Sequence, residues 1–151
     1  MIRPPMRIRP FRDSDLEALC AIDRVCFDAD IAFPMATLEF QVHHPKSITR
    51  VGEDSGRILG FVLATVECPS CAHVLTLDVV PEARRRRIGL SLMRTLHRAL
   101  KRRSVGAVFL EVGVRNLPAQ RLYEALKYEY LDTVYGYYPG GEDAVRMARF
   151  F

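Results

Sequence analysis

Two features of this chain could carry chemistry: a run of arginines and a lone carboxylate in an apolar segment. The arginines occupy residues 84–87, directly after the apolar sequence LDVVP and directly before the helical pattern IGLSLM. A strand that turns into a helix N-terminus presents free backbone N–H groups, and the helix dipole there favours anions. Two interpretations stay open from the run alone: a binding site for an anionic group such as a polyphosphate, and a solvated basic turn or loose nucleic-acid contact.

Glu111 is the one charged residue in the apolar segment AVFLEVGV at 107–114. A carboxylate inside such a strand needs a polar partner, or it becomes neutral. Alternation along the strand places Phe109, Glu111 and Gly113 on one face, where Gly113 leaves space beside the acid. Two interpretations stay open from the strand alone: a general base in a cleft, and a structural carboxylate that faces solvent or pairs with an arginine.

Strands and helices alternate along the chain and must position these residues. Hydrophobic periodicity and turn residues predict strands over 7–11, 48–53, 58–67, 72–80 and 107–114, with two more at the C-terminal end. Helices are predicted over 35–43, 85–103 and 117–126, and a further helix after a capping box formed by Ser14 and Glu17. This order predicts one mixed α/β domain over 1–151, with residues 1–6 as a flexible extension.

Composition restricts the function classes. The chain has 151 residues, 49% of them hydrophobic, and can build one core. Its net charge of +4 comes largely from arginines between 84 and 103, which suits an anionic ligand. Nucleic acid is a weaker alternative, because no nucleic-acid module accompanies the patch. The N-terminus lacks the apolar run of a secretory signal and no segment is long enough to span a membrane, so we expect a cytoplasmic protein without membrane contact.

The cysteines indicate no catalytic or metal site. Cys68 and Cys71 form a single Cys-Pro-Ser-Cys motif, and a zinc ion would need two further ligands, for which His73 with His43 or His44 are the candidates. One pair without a second pair is a poor zinc signal. We therefore expect a surface hairpin with reduced thiols and no bound metal.

Three blocks of sequence resemble the GNAT acetyltransferases. The block Arg84-Arg85-Arg86-Arg87-Ile88-Gly89 is similar to the Arg/Gln-x-x-Gly-x-Gly/Ala loop with which that family binds acyl-CoA. Residues 110–128 and 137–147 are similar to the subgroup that acetylates protein N-termini, including the ribosomal-protein alanine enzymes. Arg87 stands where the family has its first loop glycine. We expect a negative φ at Arg87, with its side chain outward or on a phosphate oxygen.

The resemblance implies both a fold and a set of site residues. The fold would be a single GNAT-like domain with a mixed, mostly antiparallel sheet of six or seven strands, about four helices, and an acyl-CoA cleft between the two central strands. Glu111 would act as general base, Tyr123 would donate a proton to the departing thiolate, and Tyr137 and Tyr138 would border the peptide. The residues expected to hold acetyl-CoA are Leu77, Asp78, Val79, Arg85, Arg86, Arg87, Ile88, Gly89, Leu90 and Asn116.

Two of these residues also have structural interpretations. Asn116 precedes the helix start Leu117-Pro118 and is a strong N-cap. Tyr123 follows Leu122 and precedes Leu126 by three residues, so it belongs to the buried stripe of that helix. Both roles are compatible with binding acetyl-CoA.

The predicted reaction is direct transfer of an acetyl group from acetyl-CoA to a protein or peptide N-terminal α-amine. An α-amine has a pKa near 7.7–8.0, whereas lysine near 10.4 needs about 3–4 kcal/mol more to lose its proton. Transfer to lysine or a small amine is the alternative within this class. A basic nucleic-acid-binding module is the alternative outside it. Met35 and Ala36 replace the Trp-Ser that often follows Phe-Pro in the ribosomal-protein subgroup, which leaves the first substrate residue open.

Overall fold

The structure is a computed structural model that describes residues 6–151. At its centre lies one sheet of seven strands in the spatial order β1-β2-β3-β4-β5-β7-β6. Every neighbouring pair is antiparallel except β4 and β5, which are parallel, so the predicted mixed and mostly antiparallel sheet is confirmed. The strands are β1 (Arg7–Pro10), β2 (Ser47–Asp54), β3 (Arg57–Cys68), β4 (Cys71–Val79), β5 (Ala107–Gly113), β6 (Glu129–Val134) and β7 (Ala144–Phe150).

The parallel strands β4 and β5 part in the middle of the sheet. They pair over only three residues, and the last pair is His73 opposite Phe109. β4 continues to Val79 and β5 to Gly113 without further pairing between them. The sheet therefore opens between its two central strands toward their carboxyl ends, as predicted, and the edge of β4 that faces the opening has no strand to accept or donate hydrogen bonds.

Helices cover both faces of the first half of the sheet. In α3, the predicted apolar stripe of Ile88, Leu92, Met93, Leu96 and Leu100 is buried. This helix packs on β1 to β4, and α1 also contacts β3 and β4. Residues 59–64 of β3 are buried one after another, as expected for a strand covered on both faces. The helices are α1 (Leu16–Cys26), α2 (Met35–His43), α3 (Ile88–Arg102) and α4 (Leu117–Ala125).

Two helix starts differ from the prediction. The capping box of Ser14 and Glu17 is wrong: a short 3₁₀ turn, Asp13–Asp15, precedes α1, and Asp15 supplies the cap. Its carboxylate accepts a hydrogen bond from the backbone N–H of Arg12 at 2.7 Å and forms a 2.8 Å ion pair with the buried Arg9. These contacts hold the carboxylate at the turn, so the capping acid is Asp15 and not the predicted Glu17. Helix α3 starts at Ile88 rather than 85, because residues before it adopt positive φ.

The hairpin between β3 and β4 is closed by a disulfide. Cys68 and Cys71 are bonded to each other across the two-residue turn, which corrects the expectation of reduced thiols. Facing cysteines at the ends of a tight antiparallel hairpin lie at the spacing that a disulfide requires, here 5.0 Å between Cα atoms. Cys20 and Cys26 are free.

The expected N-terminal extension over 1–6 lies almost wholly outside the described residues, which begin at Met6. Met6 itself packs partly buried against the core. Within residues 6–151, no helix is long and apolar enough to cross a lipid bilayer.

Candidate active site

The turn before α3 has the backbone shape of an anion-binding loop. φ is +72° at Arg85 and +58° at Arg87, while Arg86 between them has no positive φ. Such alternation turns successive N–H groups toward one side. Arg87 is also the N-cap of α3 and gives the helix no side-chain hydrogen bond, so the first N–H groups of the helix, at 88–90, stay available to a ligand.

The conformation of Arg87 corrects the sequence expectation of a negative φ. Its left-handed backbone is the one that glycine adopts without cost, and a residue with a Cβ loses about 1 kcal/mol or more there. The loop therefore keeps the glycine-type shape although the glycine is replaced. The side chain of Arg87 is exposed, as expected.

The four arginine side chains of the run do different things. Arg86 forms a 2.7 Å ion pair with Asp54, which is nearly buried at the end of β2. Arg84 donates to the carbonyl of Val79 at 3.3 Å. Arg85 and Arg87 form no hydrogen bond or ion pair within residues 6–151. Two of the four guanidinium groups thus fasten the turn to the sheet, and the other two are free to attract an anion.

Leu77, Asp78 and Val79 lie in the part of β4 that borders the opening. The carboxyl group of Asp78 is buried beside that of Asp23 on α1, and burial, reinforced by Asp23, raises the pKa of Asp78 well above its usual range. Asp78 accepts a hydrogen bond from the Thr76 hydroxyl. One oxygen of each carboxyl group has no hydrogen-bond partner in the described part of the chain. The raised pKa favours the protonated form of Asp78 in the folded protein.

Gly89 allows three elements to meet at the opening. A Cβ added to it would lie 3.3 Å from the side chain of Leu122 on α4 and 3.7 Å from that of Leu77 on β4. Ile88 beside it is buried, whereas Leu90 is half-buried. The start of α3 therefore approaches both the end of β4 and helix α4 closely.

Helix α4 carries Asn116 and Tyr123. The side-chain oxygen of Asn116 accepts the backbone N–H of Ala119 at 3.2 Å, which confirms the predicted N-cap. Tyr123 is 7% exposed and packs against the ring of Tyr128 with 5.6 Å between centroids. Burial, with a smaller effect from Asp78, raises the pKa of Tyr123, so its hydroxyl stays protonated. Its hydroxyl forms no hydrogen bond with residues 6–151.

Glu111 lies in a row of alternating charges that crosses the sheet, which we call the charge row. His73 Nε2 lies 2.5 Å from Oε2 of Glu111, and the other ring nitrogen lies 3.2 Å from Glu67. On the opposite side, Arg146 is 3.7 Å from Glu111 and 3.3 Å from Asp132. Five strands contribute to the charge row: from β3 to β6 in space, its members are Glu67, His73, Glu111, Arg146 and Asp132.

The central pair of the charge row has shifted acidities. Burial opposes ionisation of Glu111, but the hydrogen bond and charge of His73, together with Arg146, hold the pKa of Glu111 below its usual range. The hydrogen bond to Glu111 raises the pKa of His73, and Glu67 adds to this effect. Of the two groups, the imidazole is therefore the stronger base, and a proton taken up by the pair settles on His73.

The charge row lines a concave surface beside the opening. A cavity of about 470 Å³ is bordered by its five members together with Phe109 and Leu131. Tyr137 and Tyr138 lie near it, with ring centroids 4.9 Å apart in an edge-to-face contact. Burial raises the pKa of Tyr138 to about 12, with smaller contributions from Tyr137, Glu142 and Glu111. Glu111 also raises the pKa of Tyr137, which places both tyrosines within electrostatic reach of the carboxylate.

The space predicted beside Glu111 is filled. A Cβ added to Gly113 would lie 2.8 Å from a carboxylate oxygen of Glu142, and that oxygen accepts the N–H of Arg115 at 3.1 Å. A larger residue at 113 would therefore have to displace the side chain of Glu142, which the loop before β7 places over β5. The open space lies instead beyond Phe109, in the cavity.

Sequence analysis missed most of the charge row. His73 was considered only as a zinc ligand, and neither Glu67, Asp132 nor Arg146 was singled out. The signal was present for His73, because it is a polar residue on the same alternating face of a strand as Leu75 and Leu77. Nothing local marks the others, since pairing of β3 with β4 brings Glu67 to His73, and pairing across β5, β7 and β6 brings Arg146 and Asp132 to Glu111.

The zinc alternative finds no support in the geometry. Cys68 and Cys71 are bonded to each other, and His73 is engaged by two glutamates. In the described residues 6–151, no three His, Cys, Asp or Glu side chains are placed to hold a metal ion.

Comparisons with known proteins agree with this geometry. The sequence model of the Acetyltransferase (GNAT) family matches residues 16–128. The chain is 31% identical to an uncharacterised N-acetyltransferase of Methanocaldococcus jannaschii, over 95% of this chain and 91% of that protein. It is 29% identical to an N-alpha-acetyltransferase of Sulfurisphaera tokodaii, over 94% of this chain and 91% of that protein. The crystal structure of the ribosomal-protein-S18-alanine N-acetyltransferase from Escherichia coli superimposes with a TM-score of 0.87 and 25% identity, over 95% and 92% of the two chains.

The parted central strands and the family match define the class of protein as an acyltransferase. The chain belongs to the GNAT acetyltransferase family, since the family model covers more than half of it. The predicted single α/β domain, with seven strands and four helices, is the fold of that family.

Proposed function

We propose that this protein transfers an acetyl group from acetyl-CoA to the α-amine of a protein or peptide N-terminus. The observation that carries the proposal is the Glu111–His73 pair at the opening between β4 and β5, half-buried and next to a cavity that can admit a chain end. One relative is named an N-alpha-acetyltransferase, and one structural neighbour is an alanine N-acetyltransferase of a ribosomal protein, which supports this acceptor class.

The residues present suit acetyl-CoA as the donor, which supplies an acetyl thioester. The unpaired edge of β4 at 77–79 offers backbone groups to its amide-containing arm. Residues 85–90 would hold the pyrophosphate with N–H groups of the left-handed turn and the uncapped start of α3, while Arg85 and Arg87 add positive charge. Asn116 would contribute the amide nitrogen that its capping role leaves free.

The Glu111–His73 pair would take a proton from the incoming ammonium group, directly or through a water molecule. An imidazole with a raised pKa is a stronger base than a free histidine, and an α-amine, with a pKa near 7.7–8.0, is the protein amine that gives up its proton more readily. A lysine amine, near 10.4, would cost about 3–4 kcal/mol more to deprotonate. The acidity of this pair therefore favours an α-amine over lysine.

Tyr123 would protonate the thiolate that leaves. Its pKa is raised by burial, so the phenol keeps its proton at physiological pH and can stabilise the thiolate by donating a hydrogen bond to it, whether or not the proton is transferred. Tyr137 and Tyr138 would border the peptide, because they lie near Glu111 and their rings meet edge to face. No covalent acetyl-enzyme is required, since a free amine can attack the thioester itself.

The experiment is acetyl transfer to two peptides of one sequence, measured by mass spectrometry. The first has a free N-terminus and norleucine in place of lysine, and the second has a formylated N-terminus and a free lysine. We expect acetylation of the first at a rate at least tenfold above the second, because its amine is the easier to deprotonate. Faster modification of the second peptide would contradict the proposal, and so would modification of neither.

A further inference from the structure

Glu67 lies at the exposed end of the charge row, and we propose that it is a positioning residue that orients His73 and passes the substrate proton to solvent. This inference rests on the proposed function, because it concerns the proton that the amine loses. Glu67 is 55% exposed, whereas Glu111 is 12% exposed. A proton that reaches the mostly buried carboxylate of Glu111 therefore needs a path to solvent.

Glu111 contacts two side chains, His73 and Arg146, and only one of them can carry a proton away. His73 contacts Glu111 through Nε2 at 2.5 Å and Glu67 through Nδ1 at 3.2 Å. On the other side, Glu111 meets Arg146, and a guanidinium group does not give up a proton in proteins. Of the two side chains that contact Glu111, only the imidazole can therefore relay the proton.

The steps balance for one proton per acetyl group transferred. The ammonium nitrogen gives a proton to the carboxylate of Glu111, which passes it to Nε2 of His73. The proton on Nδ1 moves to the carboxylate of Glu67 and from there to water. A half-turn of the imidazole ring, which brings the bare nitrogen to Glu111 and the protonated one to Glu67, then resets the relay. The released proton is the one that an ammonium substrate must lose when it becomes an amide.

Ionisable groups on several elements influence the pKa of His73, so the test must distinguish the effect of Glu67 from the effects of the others. Glu67 also accepts a weak hydrogen bond from Thr65 at 3.5 Å, which keeps its carboxylate beside the ring. The ionisable groups near the imidazole are Glu67 on β3, Glu111 on β5, Asp132 on β6, Arg146 on β7 and Tyr137 in the loop before β7.

The test compares Glu67→Gln with Glu129→Gln, which removes the same charge from an exposed site on β6 outside the cavity. The pH dependence of kcat/KM is measured with any amine that the wild-type protein acetylates. We expect Glu67→Gln to lower kcat about fivefold with little change in KM, and to move the rising limb of the profile about half a unit to lower pH. The direction follows because His73 loses an anion that stabilises its protonated form. Added formate should restore part of the rate, and Glu129→Gln should behave as wild type.

Two kinetic results would overturn the inference. One is an unshifted limb in Glu67→Gln, and the other is a loss of rate that appears only in KM and is not restored by formate. An NMR titration of the His73 imidazole in the same variant gives a readout that does not need activity: its pKa should fall, and an unchanged value also overturns the inference. Absence of acetylation by wild-type protein would refute the proposed function instead, while the NMR titration still decides whether Glu67 acts on His73.

Discussion

The two sides of the opening between β4 and β5 are built from different parts of the chain. On the donor side, residues 77–79 and 85–90 present backbone groups from a strand edge, a left-handed turn and a helix start. On the acceptor side, five strands place one charged side chain each in the charge row. In the proposed mechanism, backbone groups hold the acetyl donor and side chains act on the acceptor amine.

This difference has a physical consequence for mutation. Backbone N–H groups are common to all residues except proline, so side-chain changes on the donor side should cost little unless they alter φ. The acceptor side depends on protons placed on particular atoms, so a change of one atom there should cost much. The predictions below test that contrast.

The largest effect is expected from Glu111→Gln. The amide keeps the shape of the side chain but cannot accept the substrate proton, so kcat/KM should fall about 100-fold or more, with unchanged affinity for acetyl-CoA. Steady-state kinetics and calorimetric titration measure the two quantities. Asp132→Asn is the matched control in the same cavity and should lose less than about fivefold. Equal losses of kcat/KM in both variants would show that Glu111 does not act as the proton acceptor.

Tyr123→Phe should lower kcat about tenfold, because the departing thiolate loses its proton donor. The phenyl ring keeps the packing against Tyr128, so the fold should persist. Tyr128→Phe is the control: its hydroxyl bonds to His97 at 2.7 Å, away from the opening, and its loss should affect stability rather than kcat. Rates in single turnover should separate this step from product release. Full activity of Tyr123→Phe would refute the assigned role.

Asp78→Asn should change how stability depends on pH. Because the folded-state pKa of Asp78 is raised, its contribution to stability is fully present below the unfolded pKa and is lost as pH rises through the folded value. Asparagine mimics the protonated acid without titrating. The melting temperature of wild type should therefore fall more than that of Asp78→Asn between pH 5 and pH 9. If the melting temperatures of the two proteins changed equally with pH, Asp78 would be ionised in the folded protein.

The smallest effect is expected from Arg87→Gly compared with Arg87→Ala. Both remove the charge, but only glycine relieves the left-handed backbone, so the glycine variant should be about 1 kcal/mol more stable than the alanine variant in urea unfolding. Affinity for acetyl-CoA should fall only a few-fold in either variant. A loss above about 50-fold in Arg87→Gly would mean that side chains, not backbone, hold the donor.

The donor side could be predicted from the sequence because its signals are local. The arginine run, Gly89 and the Asn116 cap all lie within short segments whose order along the chain also sets their positions in space. What could not be predicted was the sign of φ at Arg87, because a residue with a side chain normally avoids that region and only the strand and helix on either side impose it.

Within the charge row, only Glu111 could be singled out from the sequence. A charge within an apolar strand is a local anomaly, but its partners come from strands that are 38 and 35 residues away in sequence, at His73 and Arg146. Register across the sheet decides such contacts, and no short pattern records it. The acidity of the pair, and hence the identity of its stronger base, follows from those contacts alone.

Hydrogen exchange followed by mass spectrometry tests the central claim most directly. Acetyl-CoA added to the protein should slow exchange at residues 77–79 and 87–90 and leave β6 unchanged, because the donor is held by the backbone of the parted strand and the turn. Protection confined to β6 and β7, or no protection at 87–90, would contradict the account.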